Sequence, residues 1–158
     1  MKTRAGNSAR AIFRQGIMAK VRILCVDDDR PTVTIISGVL RKEGYEVDIA
    51  LDGHAGLAKA LEFKPHLIIL DVMMPGMDGF QVCRHLHEDA TTAKIGVIML
   101  TAKGGVDDPE HESWRLANKV QDRLRGFESG ATEFLTKPVK AKELILRVKA
   151  VLWATGII

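Results

Sequence analysis

Residues 21–29 read VRILCVDDD, an almost unbroken apolar run that ends in three aspartates. Two further runs have the same character, HLIILD at 66–71 and IGVIML at 95–100. Continuous Val, Ile and Leu over this length is typical of parallel strands that are covered on both faces. Two more runs, YEVDIA at 45–50 and TEFLTK at 132–137, complete a predicted set of five strands.

Between these runs, apolar residues recur at helical spacing. The first such stretch, PTVTIISGVLRKEG, ends at Gly44, a residue type that favours the position after a helix. Strands that alternate with helices in this way predict an α/β fold, a doubly wound five-stranded parallel sheet with helices on both faces. The spaced positions of the predicted helices are Val33, Ile36, Val39 and Leu40, then Ala55, Ala58 and Leu61, then Phe80, Cys83 and either Leu86 or His87, and finally Leu144, Val148 and Leu152.

Composition excludes several classes of protein. With 158 residues, 46% of them hydrophobic and 27% charged, the chain has the composition of one globular domain, not of a disordered chain. No apolar run approaches the roughly 20 residues that span a bilayer, so we expect no membrane segment. Cys25 and Cys83 have no metal-ligand spacing and are too few for a disulfide scaffold, which favours a reducing, cytoplasmic location.

Positive charge is concentrated at the start of the chain. The first 22 residues contain six Lys and Arg and no acid, so the remaining 136 hold 17 basic against 20 acidic residues. The basic pI of about 9.0 therefore belongs to this segment, and no direct nucleic-acid partner is expected from it. Residues 1–19 lack the apolar core of a secretory signal and are predicted to be a flexible tail. The stretch from Met18 reads like a natural start, which leaves open whether 1–17 are an upstream extension.

Polar residues follow four of the predicted strands at their carboxyl ends: Asp27 and Asp28, Asp71, Thr101 and Lys137. Because the ends of parallel strands share one edge of the sheet, these side chains are expected to converge. Carboxylates held together repel one another, and oxygen ligands suit a hard cation such as Mg²⁺. Carboxylate, Mg²⁺, ammonium and hydroxyl are the components of phosphoryl transfer, with Asp71 as the candidate nucleophile.

Each of these residues alone has a plainer structural explanation. An acidic residue after a strand is often the N-cap of a helix. A strand-end Asp or Thr is often a turn residue, and Lys-Pro is a common loop dipeptide. The position of all of them at carboxyl ends within one predicted sheet favours a functional site.

In combination, these segments resemble the receiver domain of two-component response regulators over about residues 20–154. VRILCVDDDRP resembles the first strand and acidic pair of that family, and LIILDVMMPGMDG its phosphorylation strand and loop. IMLTAK and EFLTKPV resemble the segments that carry the switch hydroxyl and the lysine. The resemblance implies the flavodoxin-like (βα)5 receiver fold at residues 20–155, with 156–158 as the C-terminal end.

By this resemblance, Asp71 is the phospho-acceptor and takes its phosphoryl group from a phospho-histidine on a sensor histidine kinase or phosphotransfer protein. Mg²⁺ is the implied cofactor. Asp28 would bind it directly, Asp27 through water, and Asp71 and the backbone carbonyl of Met73 would complete the protein ligands. Asp29 would then be a loop or helix-cap residue.

The resemblance also implies how the signal leaves the site. Lys137, beside a cis Lys-Pro bond, would pair with Asp71 and then with the phosphoryl group. Thr101 would turn towards a phosphoryl oxygen, and the aromatic ring of Phe134 would follow it. The face formed by the fourth helix, fifth strand and fifth helix would change shape. A downstream output domain or protein, or a second copy of the chain, would read that face.

Between Thr101 and Lys137 the chain is longer than the family pattern. The extra length, at about 104–118, predicts a fourth helix lengthened at its N-terminus or a short added helix. Two interpretations stay open. The added turns either cover the edge of the sheet, or they reshape the signalling face with Trp114 as an anchor for a partner.

Two other functions are less compatible with these residues. A Mg²⁺-dependent aspartyl-phosphate phosphatase requires a second acid two residues after the nucleophile, where this chain has Met73. A receiver-like interaction module that is never phosphorylated usually lacks part of the site, and no part is missing here. We therefore expect a signalling receiver that is not a metabolic enzyme, either alone or as a fragment of a longer regulator.

Overall fold

The computed structural model describes residues 20–102, 124, 128 and 130–158. Five parallel strands form one sheet in the order β2-β1-β3-β4-β5, so the predicted α/β sheet is confirmed. The end of every strand lies within one residue of the run that predicted it. The strands are β1 (Arg22–Val26), β2 (Glu46–Ala50), β3 (Leu67–Asp71), β4 (Gly96–Thr101) and β5 (Glu133–Thr136).

Four helices lie within the described ranges 20–102 and 130–158, and the last of them is the predicted fifth helix. They are α1 (Arg30–Lys42), α2 (Gly53–Phe63), α3 (Gly79–Glu88) and α4 (Ala141–Ala154). Leu124 and Glu128, in the segment of the predicted fourth helix, are helical. The predicted tail at 1–19, the insertion at 104–118 and Trp114 lie outside the described residues. None of the described helices combines the length and the apolar character needed to cross a bilayer.

Aspartates cap the helices that follow the first three strands. Asp29 precedes α1 and accepts a hydrogen bond from the backbone N of Thr32, so of the two roles expected for it, loop or helix cap, it has the second. Asp52 and Asp78 cap α2 and α3 in the same way. Gly44 has φ +92° just after α1, where a side chain would be strained. Local sequence signals therefore set these helix ends.

The sheet separates two cores, as a doubly wound fold requires. Leu24, Ile68 and Leu70 pack towards α2 and α3, whereas the alternate residues of the same strands pack towards α1 and α4. On that second face the strands contribute Ile23, Cys25, Leu67, Ile69, Ile98, Leu100 and Leu135. Both faces of β1, β3 and β4 are thus buried, which explains why these strands read as unbroken apolar runs.

The face that α2 buries is not the one that its apolar spacing predicts. Gly56 and Ala60 are buried, whereas Ala58 is exposed and 52% of Leu61 remains accessible. A Cβ added at Gly56 would lie 3.0 Å from Cγ1 of Val26, so the helix contacts the sheet through its smallest residues. Since α2 is apolar on several sides, the apolar pattern does not determine which side faces the sheet. The close packing of Gly56 against Val26 of β1 determines it.

Candidate functional site

The carboxyl ends of four strands bring the predicted polar residues to one edge of the sheet. In register, Val26 of β1 is opposite Leu70 of β3, so Asp27 and Asp71 follow from neighbouring positions. Asp71 is opposite Leu100, which places Thr101 beside the same edge. The predicted convergence of the strand ends is therefore confirmed.

Three carboxylates form the centre of the site. Oxygen atoms of Asp27, Asp28 and Asp71 all lie within 4.8 Å of one another. Asp27 is 1% exposed and Asp71 4%, while Asp28 is open to solvent. Negative charges this close, two of them buried, repel strongly unless a cation lies among them.

The ammonium of Lys137 is the cation that the chain itself supplies. Its Nζ lies 2.8 Å from Oδ2 of Asp27 and 3.2 Å from Oδ1 of Asp71. Burial alone would lower the pKa of Lys137, but contact with Asp27 and the charge of Asp71 outweigh it and raise the pKa. The backbone N of Lys137 donates to O of Thr101 at 2.8 Å, and the Lys137–Pro138 peptide bond is cis. The ammonium of Lys137 thus forms ionic contacts with both Asp27 and Asp71.

Asp71 has an unusual affinity for protons. Burial raises its pKa to about 6, and the charge of Asp27 adds to the effect. Lys137 acts in the opposite direction without cancelling the shift. A raised pKa in an acid with charged neighbours is characteristic of functional sites.

The cluster of the three carboxylates also fits a divalent metal ion. Oδ1 of Asp27 accepts a hydrogen bond from the backbone N of Asp29 at 2.9 Å. Oδ2 is buried and, within the described residues, has the ionic contact with Lys137 but no hydrogen bond of good geometry. Oδ2 of Asp27 can therefore still accept a metal ion. Together with the carboxylates of Asp28 and Asp71 it forms a set of oxygen ligands of the kind that Mg²⁺ prefers.

The loop after β3 is held tightly against the acid. Backbone N of Val72 donates to O of Leu100 at 3.0 Å, and N of Gly79 donates to O of Val72 at 2.9 Å. A Cβ at Gly79 would lie 2.3 Å from O of Asp71, so only glycine fits where the loop returns. The Met73 side chain in this loop is 71% exposed.

Thr101 and Phe134 lie on the adjacent strands β4 and β5. The Thr101 hydroxyl is half-buried, and its Oγ1 is 3.4 Å from O of Leu135, a long hydrogen bond. Phe134 pairs with Met99 in register and is buried in the core on the side of α2 and α3. A weakly held hydroxyl beside the acidic group can change partner at little cost.

Two features of the site were not predicted from the sequence. The nearer partner of Lys137 is Asp27, and nothing in the spacing of the two residues indicates that. The sequence does not indicate the close approach of Gly79 to Asp71 either, although the glycine-rich PGMDG segment predicts a tight loop.

Comparison with known proteins agrees with this geometry. Residues 23–112 match the family described as the response regulator receiver domain. The DNA-binding dual master transcriptional regulator RpaA of Synechocystis sp. is 42% identical over 134 residues, which cover 85% of this chain and 50% of RpaA. Response regulator PleD of Caulobacter vibrioides is 45% identical over 129 residues, covering 82% of this chain and 25% of PleD. The chain thus spans half or less of the length of these relatives.

Solved structures show the same fold. The chemotaxis protein CheY4 of Vibrio cholerae is similar with a TM-score of 0.71 and 30% sequence identity, covering 85% of this chain and all of that one. A CheY-like receiver domain protein from Methanospirillum hungatei has a TM-score of 0.72 at 26% identity. From the matched family, the relatives and the fold together, the chain belongs to the response regulator receiver domains of two-component systems.

Proposed function

We propose that Asp71 accepts a phosphoryl group from a phospho-histidine and that the phosphorylated domain signals through a changed surface. One observation carries this proposal above all. Asp71 is a buried carboxylate at the carboxyl edge of the sheet, with two other carboxylates and the ammonium of Lys137 around it. This is the charge arrangement that phosphoryl transfer requires.

In the proposed transfer, a carboxylate oxygen of Asp71 attacks phosphorus while the bond from phosphorus to the imidazole nitrogen of the donor breaks. The released imidazole nitrogen takes up a proton from solvent. Asp71 must be ionised to attack, and a pKa of about 6 leaves most molecules ionised at neutral pH. The donor would be a sensor histidine kinase or a phosphotransfer protein.

Asp27, Asp28, Asp71 and the backbone carbonyl of Met73 would hold Mg²⁺. When bound, the ion supplies positive charge that reduces repulsion between the carboxylates and the incoming phosphoryl group. Lys137 then screens the remaining charge, because its Nζ already lies within 3.2 Å of Asp71. Mg²⁺ and the ammonium of Lys137 would thus both stabilise the buried negative charge.

Phosphorylation adds negative charge and acceptor oxygens at Asp71. Within the described residues the Thr101 hydroxyl gives up one long bond, to O of Leu135, when it turns to a phosphoryl oxygen. Phe134, on the strand that carries Leu135, would adjust with it. The signal would then leave through the face built from the predicted fourth helix, β5 and α4.

In this proposal residues 20–155 form the receiver domain, preceded by a basic tail at 1–19 and followed by a short end at 156–158. The domain would act in the cytoplasm, without direct contact to nucleic acid or membrane. It would pass its signal to an output domain or protein, or pair with a second copy. Its reactions would be its own phosphorylation and dephosphorylation, not the turnover of a metabolite.

Labelling with radioactive acetyl phosphate in the presence of Mg²⁺ tests the acceptor. Wild-type protein should take up label, and Asp71→Asn should not. Asp89→Asn is the matched control, since Asp89 is an exposed acid that follows α3 at the other edge of the sheet. Label retained by Asp71→Asn would place the acceptor elsewhere. A folded wild-type protein that takes up no label would instead be an interaction module that is not phosphorylated.

A further inference from the structure

A groove lies between the carboxyl ends of α2 and α3, at the edge of the sheet opposite to the acidic site. Its volume is about 540 Å³. Leu61 lines it and is 52% exposed, so its side chain offers apolar surface to a ligand. The other lining residues that matter here are Leu57, Leu86, Glu88 and Asp89.

The charges of this groove favour a cationic ligand. Glu88 ends α3 and Asp89 follows it, where the negative pole of the helix is located. Asp89 accepts hydrogen bonds from N and Oγ1 of Thr91, whereas the acidic side chain of Glu88 at that pole is unfavourable. The last turn of α3 contains His85, which also lines the groove, and His87, but neither lysine nor arginine. A positive charge brought to this groove would relieve the repulsion.

The described chain begins near the carboxyl end of α2, the helix whose Leu57 and Leu61 line the groove. Nε of Arg22 is 3.0 Å from O of Phe63, and its Nη2 is 2.8 Å from O of Lys64. These bonds hold the start of β1 against the last turn of α2, close to Leu61. Arg22, at the start of β1, therefore already lies at the negative pole of α2, whereas no arginine of the described residues makes such a contact at the end of α3.

The preceding segment has the matching chemistry. Residues 1–19 contain four basic side chains and no acid, and Arg10 and Arg14 alternate with the apolar residues Ile12, Phe13 and Ile17. From Lys20, nine extended residues reach up to about 30 Å, enough to span the groove. We propose that residues 9–18 bind in this groove, with the apolar side chains on Leu57 and Leu61 and the arginines beside Glu88 and Asp89.

Disulfide trapping in the full-length chain tests the proposal. Ala11→Cys would be combined with Ala90→Cys, an exposed position in the groove, or with Ala154→Cys, an exposed position at the same edge on the opposite face of the sheet. The native Cys25 and Cys83 are buried, so they do not compete. Under mild oxidation, the intramolecular crosslink to position 90 should form several times faster than the crosslink to position 154.

Charge provides an independent second test. Glu88→Gln should slow crosslinking to position 90, whereas Glu143→Gln, the same change at the start of α4, should leave it unchanged. Raising the salt from about 0.05 M to about 0.5 M should slow the reaction, since exposed charges are screened. Equal rates at positions 90 and 154, or crosslinks only between two chains, would overturn the proposal. Asp71→Asn should crosslink like wild type, which separates this proposal from that on phosphorylation.

Discussion

Nζ of Lys137 lies 2.8 Å from Oδ2 of Asp27, closer than the 3.2 Å that separate it from Oδ1 of Asp71. Asp27 is almost completely buried, so this ion pair is what makes its charge tolerable. The lysine that is expected to serve the phospho-acceptor therefore has a second role in the unphosphorylated protein. Its ammonium offsets the repulsion between the carboxylates of Asp27 and Asp71.

Replacement of Lys137 should make folding depend on a metal. Lys137→Met leaves Asp27 and Asp71 without their ammonium, and we expect a loss of about 2–3 kcal/mol of unfolding free energy in metal-free buffer. Added Mg²⁺ should restore more stability to the variant than to wild type. Urea denaturation with and without Mg²⁺ measures this. Lys149→Met is the matched control because Lys149 is exposed and 4.0 Å from Glu43. Equal Mg²⁺ effects on both variants would contradict the role of Lys137.

Asp71 should destabilise the metal-free protein at neutral pH. Its pKa rises from 3.8 to about 6 on folding, so the folded state binds a proton more tightly than the unfolded state. Stability therefore falls as the pH rises through this window, by an amount on the order of 2–3 kcal/mol. Asp71→Asn should be more stable than wild type above pH 6, and the difference should shrink towards pH 4.

Thermal denaturation at several pH values, in metal-free buffer, would measure that difference. Asp89→Asn is a control of opposite sign. Hydrogen bonds from Thr91 lower the pKa of Asp89, so its ionised form favours folding and its replacement should not stabilise the protein. If Asp71→Asn is no more stable than wild type at neutral pH, the ionised Asp71 carboxylate does not destabilise the folded protein, which would contradict the prediction.

Gly79→Ala should disturb the loop beside the acid. The added Cβ would lie 2.3 Å from O of Asp71 and 2.9 Å from Cα of Val72, both backbone atoms that cannot rotate away. We expect a loss of about 2–4 kcal/mol in unfolding free energy and slower labelling by acetyl phosphate. Gly38→Ala, in the middle of α1 with nothing within 4 Å of the new Cβ, should instead gain about 0.5–1 kcal/mol. Equal effects of the two changes would exclude a special role for the tight contact.

His66 should make stability sensitive to mild acid. Its Nδ1 accepts a hydrogen bond from the backbone N of Arg22 at 3.0 Å, which requires an unprotonated nitrogen. Burial and the nearby Arg22 lower the pKa of His66 below 6.5, so its contribution is complete above pH 6.5 and is lost as the pH falls through the folded value. His66→Asn keeps an acceptor but does not titrate. Urea denaturation near pH 7.5 and near pH 5.5 should therefore show a smaller acid-induced loss in the variant than in wild type.

Much of the architecture was predictable because it depends on local signals. The strands β1, β3 and β4 are buried on both faces, and their unbroken apolar runs marked them to within one residue. Asp29 and Gly44 marked the two ends of α1 through capping chemistry. The meeting of Asp27, Asp71, Thr101 and Lys137 followed from one geometric rule, that parallel strands end at a common edge.

Other features could not be predicted from spacing. The inward face of α2 contains Gly56 and Ala60 rather than Leu61, because close contact with Val26 selects the smallest residues. The sharing of Lys137 between two acids depends on distances of a few tenths of an ångström, which no sequence pattern contains.

The sequence by itself determined the order of the elements, the α/β class and the identity of the residues at the strand ends, since hydrophobic periodicity and caps act over a few neighbouring positions. Only the tertiary structure decided which acid pairs with Lys137, how far the pKa of Asp71 rises, and that Arg22 lies at the end of α2 beside an acidic groove. These properties depend on burial and on distances between residues remote in the chain, and both exist only once the sheet and its helices have packed.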